Sequence, residues 1–458
     1  MSVRLAVVGG GVSGLTAAYR LRRSYGADAL IDLYEADRQV GGLLATRDVA
    51  GVPMDVGAEA FIVRRPEATA LLAELGLADE VVSPGPLRPA IWSGGRLHAL
   101  PSPAVMGIPA GPEALGALLD DDQRELIAGE SGRSLYWRTG ADPSVGALVT
   151  ERFGAAVTAR SVDPMLGGVY SARADDLGLR EAVPALAAAL DAGAPSLTAA
   201  VASLTAAQSA AAGPVFGALR GGYRRLVQVL ERAGGAQVRR GCEVTGLART
   251  GTGYTLVTAD GTAADYAGVV LALPAWYAGP LLAETAPQAA AAFAAVAPAG
   301  SAVVAVALAD GSAVPEHSGV LVASDAQDLR CKAVTLSSQK WPHLAGGPAL
   351  LRVSFGRLGA SVRGTDAELI AAATEDLAVI FAAAGLPAPQ VAGALVQRWP
   401  TGLPHYGPGH LAAMDRALTQ LPPGLAVAGA ALSGVGVPAC IGAAGRAAER
   451  IAADVPAR

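Results

Sequence analysis

The stretch Val3-Arg4-Leu5-Ala6-Val7-Val8-Gly9-Gly10-Gly11-Val12-Ser13-Gly14 decides the fold of this chain. It is a short apolar run followed by the glycine pattern G-x-G-x-x-G, and a helical pattern runs from Leu15 to Arg23 directly after it. Glycines in this pattern permit a tight turn and let backbone N–H groups approach a pyrophosphate at the N-terminus of the helix. With a second strand at Leu30–Tyr34, the pattern predicts a βαβ unit whose turn, residues 9–14, binds a dinucleotide.

An acidic residue lies where such units bind ribose. Glu35 follows the second strand, 21 residues after Gly14, and a carboxylate at this point accepts hydrogen bonds from the ribose hydroxyls. We therefore predict that Glu35 and the adjacent Ala36 contact the nucleoside. NAD and FAD share this fingerprint, so the unit alone leaves the choice between the two cofactors open.

Three further segments resemble the monoamine-oxidase-like FAD superfamily: Arg38–Thr46, Met54–Phe61 and Ala428–Cys440. The superfamily usually has a basic residue after the double glycine of the first segment, whereas Leu43 stands here, which predicts backbone contacts to phosphate. The last segment precedes a helix that we expect to begin near Ile441, and the dipole of this helix can face the flavin's pyrimidine end. The resemblance implies FAD as the cofactor and the following additional contact residues: Gly41, Gly42, Leu43, Thr46, Gly57, Ala58, Glu59, Ala60, Val244, Trp399, Gly429, Gly436, Val437, Pro438 and Ala439.

Four more segments are similar to the porphyrinogen oxidases of haem synthesis, a group within that superfamily. They are Ser161–Tyr170, Phe216–Gly222, Lys332–Pro342 and Gln397–Leu411. The resemblance implies an FAD- and oxygen-dependent oxidation of coproporphyrinogen III to coproporphyrin III, six electrons in three flavin cycles, with release of hydrogen peroxide. Three alternatives stay open. They are protoporphyrinogen IX as the substrate, an amine oxidase or carotenoid desaturase on the same scaffold, and a non-catalytic flavoprotein that delivers porphyrin to a ferrochelatase-like partner.

The expected substrate carries carboxylates, which arginine binds through planar, paired donors. Porphyrinogen oxidases carry basic residues near the substrate mouth, so the resemblance implies Arg64 first and Arg65 second as propionate ligands. Tyr170 and Arg173 are further candidates for contact with the substrate. The sequence shows no nucleophile–base pair, and its five histidines have no metal-like spacing. We therefore expect no catalytic side chain and no metal, with flavin N5 carrying the chemistry.

The composition argues against several other classes of protein. The formal net charge is −5 and no basic run is present, which disfavours binding to nucleic acid. No apolar stretch reaches the roughly 20 residues that a membrane-spanning helix needs. The chain also passes into its first strand without a signal-type leader, and its three cysteines lie far apart. We therefore expect a cytoplasmic protein with no transmembrane segment.

The order of helical and strand patterns predicts an α/β fold with α+β character, built from three parts. The first is a Rossmann-type FAD-binding domain in three segments, residues 1–83, 213–284 and 421–458. The second is a mainly helical lobe with parts of the substrate pocket, residues 84–212. The third is a mixed-sheet, substrate-binding domain, residues 285–420.

Overall fold

The computed structural model describes residues 2–209, 213–251 and 253–456. Its strands, in chain order, are β1 (Arg4–Val8), β2 (Leu30–Glu35), β3 (Thr46–Val49), β4 (Val52–Asp55), β5 (Phe61–Ile62), β6 (Val81–Val82), β7 (Ala90–Ser93), β8 (Arg96–Ala99), β9 (Ala104–Val105), β10 (Ile108–Pro109), β11 (Phe216–Leu219), β12 (Gln237–Arg240), β13 (Val244–Arg249), β14 (Tyr254–Thr258), β15 (Ala263–Tyr266), β16 (Gly268–Leu271), β17 (Pro298–Leu308), β18 (Gly319–Val322), β19 (Ala333–Leu336), β20 (Leu350–Phe355), β21 (Val391–Pro404) and β22 (Leu425–Val427).

The α-helices, in chain order, are α1 (Val12–Tyr25), α2 (Pro66–Glu74), α3 (Asp121–Ala128), α4 (Val145–Phe153), α5 (Ala155–Val157), α6 (Asp163–Tyr170), α7 (Leu179–Ala182), α8 (Pro184–Asp191), α9 (Leu197–Ser209), α10 (Arg224–Gly234), α11 (Ala275–Leu282), α12 (Pro287–Ala294), α13 (Ser337–Lys340), α14 (Asp366–Ala383), α15 (His410–Thr419), α16 (Ala430–Ser433) and α17 (Val437–Asp454).

A five-stranded parallel sheet carries the N-terminal unit, in the order β12-β2-β1-β16-β22. Both faces of β1 are buried, because Leu5 and Val7 pack in the cluster that contains α1 and α17, while Ala6 and Val8 pack in a second cluster. The second cluster includes the antiparallel sheet β13-β14-β15. A strand covered on both faces reads as a continuous apolar run, which is what the sequence shows. The predicted βαβ unit is confirmed.

A seven-stranded sheet lies beside the cofactor domain, in the order β21-β17-β20-β19-β18-β7-β8. It is mixed, because β18 pairs with β7 in parallel while its other pairs are antiparallel. One face packs on α14, and the other places Ala305, Ala307 and Leu350 against Met54 and Val56 of the cofactor domain. Two strands, β7 and β8, come from the segment 84–212, so the sheet draws residues from before and after the helical lobe. The domain limits stay a prediction.

The helical lobe contains α3 to α9 around one apolar cluster. A π-helical turn, Thr158–Val162, leads into α6, and α6 ends at Tyr170, followed by the C-cap residue Ser171 with a left-handed φ of 52°. The predicted fold class, α/β with α+β in three parts, is confirmed. In the described ranges, no helix combines the length and apolar character that a bilayer crossing requires.

Candidate functional site

In the glycine-rich turn after β1, backbone atoms lie very close to one another. A Cβ on Gly9 would lie 2.4 Å from the Ala272 carbonyl oxygen, and the φ of Gly9 is +102°. A Cβ on Gly14 would lie 1.7 Å from the carbonyl oxygen of Gly9. A Cβ on Gly11, by contrast, would meet only the Cα of Gly42, at 4.0 Å. The space beside Gly11 is therefore open, while Gly9 and Gly14 hold the turn in place.

The N-terminus of α1 presents backbone donors to that open space. Gly11 is the N-cap residue, and in the described part of the chain no side chain caps the helix. The first turn contains no acidic residue. Uncapped N–H groups together with the positive end of the helix dipole bind an anion such as a pyrophosphate. Residues 9–14 thus fit the diphosphate of a dinucleotide.

Glu35 is fixed at the end of β2. Its Oε2 accepts the Gly10 N–H at 2.8 Å and its Oε1 accepts the Asp37 N–H at 2.8 Å. An ionised carboxylate has about four acceptor positions, so capacity remains for ribose hydroxyls. The carbonyl oxygen of Glu35 also accepts the Cys242 N–H at 2.9 Å, which brings the start of β13 with the buried Val244 to the same edge. Ala36 is exposed beside them.

The double glycine lies directly against this turn. The Gly41 N–H donates to the Gly10 carbonyl oxygen at 2.8 Å, and Gly11 forms an isolated parallel bridge with Gly41. Gly42 is exposed with a φ of +55°, a conformation that glycine adopts without steric cost. The two predicted cofactor segments, 9–14 and 41–46, therefore form one surface.

Leu43 joins the segment Arg38–Thr46 to the segment Met54–Phe61. Its carbonyl oxygen accepts the Ala58 N–H at 3.0 Å, and a Cβ on Gly57 would lie 1.9 Å from the same oxygen. The ring of Trp399, on β21, approaches the same Cβ position at 3.2 Å, and its indole N–H donates to the Val56 carbonyl oxygen at 3.1 Å. Gly57 is therefore enclosed between Leu43 and the ring of Trp399 from the seven-stranded sheet.

A buried polar group supports the hairpin β3–β4. The Thr46 hydroxyl donates to Asp55 Oδ1 at 2.5 Å, and the Tyr223 N–H donates to the same carboxylate at 3.1 Å. Burial raises the pKa of Asp55 to about 6, although these hydrogen bonds and the charge of Arg352 oppose the shift. The Thr46 oxygen also accepts the Arg224 N–H at 3.0 Å. Thr46 thus holds the hairpin to α10, and its contact with the cofactor stays a prediction.

Glu59 is the centre of a buried ion cluster. Its Oε2 accepts from Lys340 Nζ at 2.8 Å, and its Oε1 accepts from the Ser337 hydroxyl at 2.7 Å. Arg352 Nη1 lies 3.7 Å from Oε1, and Arg352 Nη2 donates to the Gly57 carbonyl oxygen at 2.5 Å. Burial alone would raise the pKa of Glu59, but Lys340 and Arg352 overcome that effect and lower it to about 2. Neither cation was a candidate from the sequence.

The last cofactor segment corrects one expectation. α17 begins at Val437, four residues before the expected start near Ile441, with Gly436 as its N-cap residue. Pro438 permits this start, because the first turn of a helix does not need its N–H. The Ser13 hydroxyl donates to the Cys440 carbonyl oxygen at 3.3 Å, so the first turns of α1 and α17 lie together. In the part of the chain that the structure describes, no side chain caps α17 and its first turn carries no acid.

The predicted substrate residues lie near this segment. Arg65 Nη2 pairs with Glu67 Oε1 at 2.7 Å, and its Nη1 lies 3.8 Å from the Cβ position of Gly434. Arg64 is exposed and donates to the Gly213 carbonyl oxygen at 3.3 Å. The roles of both arginines in substrate binding stay predictions.

Tyr170, like Arg65, lies near Gly434. Its ring centroid is 6.0 Å from that of Tyr406. The Tyr406 hydroxyl accepts the Gly434 N–H at 2.8 Å and donates to the Ala430 carbonyl oxygen at 2.5 Å. Tyr170 is therefore one ring away from the segment Ala428–Cys440, which we call the third cofactor segment. Arg173 is exposed just beyond the end of α6, and its contact with the substrate stays a prediction.

The fold and this arrangement are those of a flavoprotein oxidoreductase. Residues 12–452 match the family model described as flavin containing amine oxidoreductase. The coproporphyrinogen III oxidase of Mycobacterium leprae is 48% identical over 451 residues, which cover 98% of each chain. The enzyme of the same name from Mycobacterium tuberculosis H37Rv is 46% identical, over 96% of this chain and 95% of the relative.

Comparison with solved structures supports the same family. A putative protoporphyrinogen oxidase from Exiguobacterium sp. 255-15 superimposes with a TM-score of 0.87 at 27% identity, covering 98% of this chain and 99% of that one. Cyclohexylamine oxidase from Brevibacterium oxydans has a TM-score of 0.68 at 18% identity over 99% of each chain, which shows a shared fold. The chain belongs to the flavin-containing amine oxidoreductase family and, within it, to the porphyrinogen oxidases. The flavin of that family agrees with the predicted FAD.

Proposed function

We propose that this enzyme oxidises coproporphyrinogen III to coproporphyrin III in the haem synthesis of the cytoplasm. One observation carries the proposal: the similarity to mycobacterial enzymes of that name extends over 96–98% of this chain at 46–48% identity. Similarity of this extent includes the substrate domain and the helical lobe as well as the cofactor domain. In this proposal, a ferrochelatase-like enzyme consumes the product.

The residues that would hold FAD form a continuous set. The turn 9–14 and Gly41–Gly42 would bind the diphosphate, and Glu35, Ala36 and Val244 the nucleoside. The segment 57–60, Trp399 and the start of α17 would surround the flavin. When bound, FAD supplies the two-electron acceptor for each of three successive oxidations, with O2 as the final acceptor and hydrogen peroxide as its product.

The protein's own part is to place the macrocycle and to keep the site in shape. Arg64 and Arg65 would bind propionates, and Tyr170 would form an apolar wall. The buried cluster around Glu59 holds the turn at Gly57, so the position of the flavin segment is fixed before substrate arrives. A reaction driven by formation of an aromatic ring needs positioning more than it needs an acid or a base from the protein.

Protoporphyrinogen IX is the second candidate substrate. It is favoured by the likeness to the Exiguobacterium structure, whose name is putative protoporphyrinogen oxidase. An amine oxidase activity has less support, because the likeness to cyclohexylamine oxidase is one of fold.

The test is turnover of both porphyrinogens by the purified holoenzyme, with heat-inactivated protein as the control for spontaneous oxidation. We expect porphyrin fluorescence to rise with coproporphyrinogen III, together with uptake of O2 and release of peroxide. A faster rise with protoporphyrinogen IX would assign the second candidate. Binding of porphyrin without any rise above the spontaneous rate would identify a non-catalytic carrier.

A further inference from the structure

A cluster of three cations lies where α6 meets the strands β19 and β20. We call Lys332, Arg357 and Arg173 the cationic cluster. Lys332 is 8% exposed, and its Nζ donates to the Ser171 hydroxyl at 2.5 Å. Arg357 is half-buried, with its Nε 3.9 Å from the Cβ position of Gly167 on α6, and Arg173 is exposed. Backbone bonds support this junction, because the Leu358 N–H donates to the Ser171 carbonyl oxygen at 2.6 Å.

Among the residues that the structure describes, no carboxylate forms an ion pair with the side chains of the cluster, although Asp163 favours the charged form of Arg357 and Asp176 accepts the Arg173 backbone N–H at 3.3 Å. The hydroxyl that meets Lys332 is uncharged. Asp163 acts on Arg357 electrostatically, but its two carboxylate oxygens accept hydrogen bonds from the Ala174 N–H at 2.7 Å and from the Ser324 hydroxyl at 2.5 Å. Burial raises the pKa of the Cys331 thiol well above its usual range, so this neighbour is neutral as well.

The cations therefore destabilise one another. Burial lowers the pKa of Lys332 to about 7, and repulsion by Arg357 contributes. The pKa of Arg357 is lowered by burial and then by the charge of Arg173. A buried ammonium without a counter-ion is costly, and such groups are concentrated at binding and catalytic sites. An anion placed among the three side chains would remove the repulsion.

The position of the cluster connects it to the flavin segments. The Lys332 N–H donates to the Ser354 carbonyl oxygen at 2.8 Å, and Ser354 lies two residues, about 7 Å, along β20 from Arg352. Arg352 in turn contacts Gly57. On the other side, Ser171 follows Tyr170, whose ring packs near Tyr406 beside the third cofactor segment.

The end of α6 beside the cluster is open. Gly168 and Val169 are exposed, so the side chain of Val169 presents an apolar group to this surface. An apolar surface next to cations matches a macrocycle that carries carboxylate arms, because pockets combine apolar walls with few polar anchors.

We propose that the cationic cluster binds one propionate carboxylate of the porphyrinogen, with Lys332 at the base and Arg173 at the rim. The assignment of the carboxylate to a porphyrinogen rests on the proposed function. Coproporphyrinogen III has a propionate on each of its four pyrrole rings, whereas protoporphyrinogen IX has vinyl groups on two of them. Each of the four rings of the tetra-acid can supply this carboxylate, whereas only two rings of protoporphyrinogen IX can, so coproporphyrinogen III fits the cluster in more orientations.

The test measures binding of coproporphyrin III to the holoenzyme through the quenching of porphyrin fluorescence. The tetramethyl ester of the same porphyrin serves as the uncharged probe. We expect K332M and R357Q to weaken binding of the acid about tenfold or more, which corresponds to one lost ionic hydrogen bond. Binding of the ester should stay unchanged. The control R96Q removes an exposed arginine from β8, the edge strand of the same sheet. Equal affinity of wild type, K332M and R357Q for the acid would overturn the proposal.

Flavin absorbance shows whether each variant retains the fold. If K332M or R357Q fails to retain flavin, R173Q at the exposed rim is compared with wild type instead. We expect R173Q to lower the affinity for the acid by a smaller factor. An unchanged affinity in R173Q would count against the site. A pH series adds a second readout. Binding of the acid by wild type should weaken between pH 6 and pH 8 as Lys332 loses its charge, and K332R should remove that dependence because arginine stays protonated.

The series is informative about Lys332 because the group that repels it, Arg357, is a guanidinium, and arginine stays protonated in this pH range. The thiol of Cys331 is neutral because burial raises its pKa. Turnover is measured separately. A wild type that oxidises neither porphyrinogen would refute the proposed function, while the difference between acid and ester would still decide whether the cluster is a carboxylate site.

Discussion

The ammonium group of Lys340 lies 2.8 Å from Glu59 Oε2, although the two residues are 281 positions apart in the chain. This pair fastens the predicted cofactor segment 57–60 to α13, which directly follows β19 of the seven-stranded sheet. Arg352 reaches the same segment through the Gly57 carbonyl oxygen. The turn predicted to pass close to the flavin is therefore held by two cations from a distant part of the chain.

Removal of the charge of Glu59 should destabilise the protein. E59Q leaves Lys340 and Arg352 in a mostly buried site without their carboxylate, and we expect a loss of about 3 kcal/mol in the free energy of unfolding near pH 7. Urea denaturation of the holoenzyme measures it. The exposed pair Arg124–Asp121 offers the matched control D121N, for which we expect no measurable change.

The pH dependence of this variant gives a second check. The pKa of Glu59 is about 2 in the folded protein, below the usual value of a glutamate. Its contribution is therefore present above about pH 4.5 and is lost as the pH falls towards 2. The difference in stability between wild type and E59Q should shrink over that interval, and a constant difference would show that Glu59 acts through packing alone.

The contribution of Asp55 to the free energy of unfolding should change with pH in the opposite direction. Its pKa in the folded protein is about 6, above the usual value, so its contribution is present below about pH 4 and is lost as the pH rises through 6. Relative to D55N, wild type should lose up to roughly 3 kcal/mol between pH 4 and pH 7. Thermal or urea unfolding of both proteins across this range tests the slope, with the exposed Asp79→Asn as control. A slope of the same sign as that of Glu59 would contradict the prediction.

Substitutions at two glycines of the turn 9–14 should distinguish an effect on cofactor binding from an effect on folding. G14A places a methyl group 1.7 Å from the Gly9 carbonyl oxygen, so we expect this variant to unfold at a lower temperature. G11A meets the protein only at 4.0 Å, at a φ of −71° that alanine adopts easily. We therefore expect G11A to match wild type in apo-protein stability but to lose FAD, because the methyl group fills the space predicted for the pyrophosphate.

The measurements are the ratio of flavin to protein absorbance and thermal unfolding of the apo-proteins. G445A is the control, since a Cβ there meets no atom within 4 Å and alanine favours a helix. Full flavin content in G11A would place the pyrophosphate elsewhere.

The sequence predicted the elements whose signals are local. The βαβ unit follows from an apolar run, three glycines and Glu35, all within the first 35 residues, and the structure confirms it. The start of α17 was wrong by four residues, because the run Gly434 to Pro438 was interpreted as a turn throughout. Pro438 fits the first turn of a helix as well as it fits a loop, and only the packing of α17 on α1 decides between them.

The charged partners could not be predicted in the same way. Lys340, which lies in the recognised segment Lys332–Pro342, and Arg352 are far from Glu59 in the sequence, and no local pattern shows that either cation meets this carboxylate. Lys332 lay inside a recognised segment, yet its burial depends on the junction of α6 with β19. Contacts of this kind arise when distant strands pair, so they carry no periodicity that one sequence reveals.

The two arginines after β5 should differ in their effect on catalysis. Arg64 is exposed, whereas Arg65 is paired with Glu67 beside Gly434. We expect R64A to raise the KM for coproporphyrinogen III five- to tenfold at unchanged kcat and flavin content, because an outer carboxylate ligand contributes equally to binding of substrate and transition state. R65A should also lower kcat, because it frees Glu67 next to the third cofactor segment. Steady-state kinetics with both porphyrinogens tests this, with the exposed Arg138→Ala as control. An unchanged KM in R64A would assign its guanidinium to the surface and leave Arg65 and the cationic cluster as the carboxylate ligands.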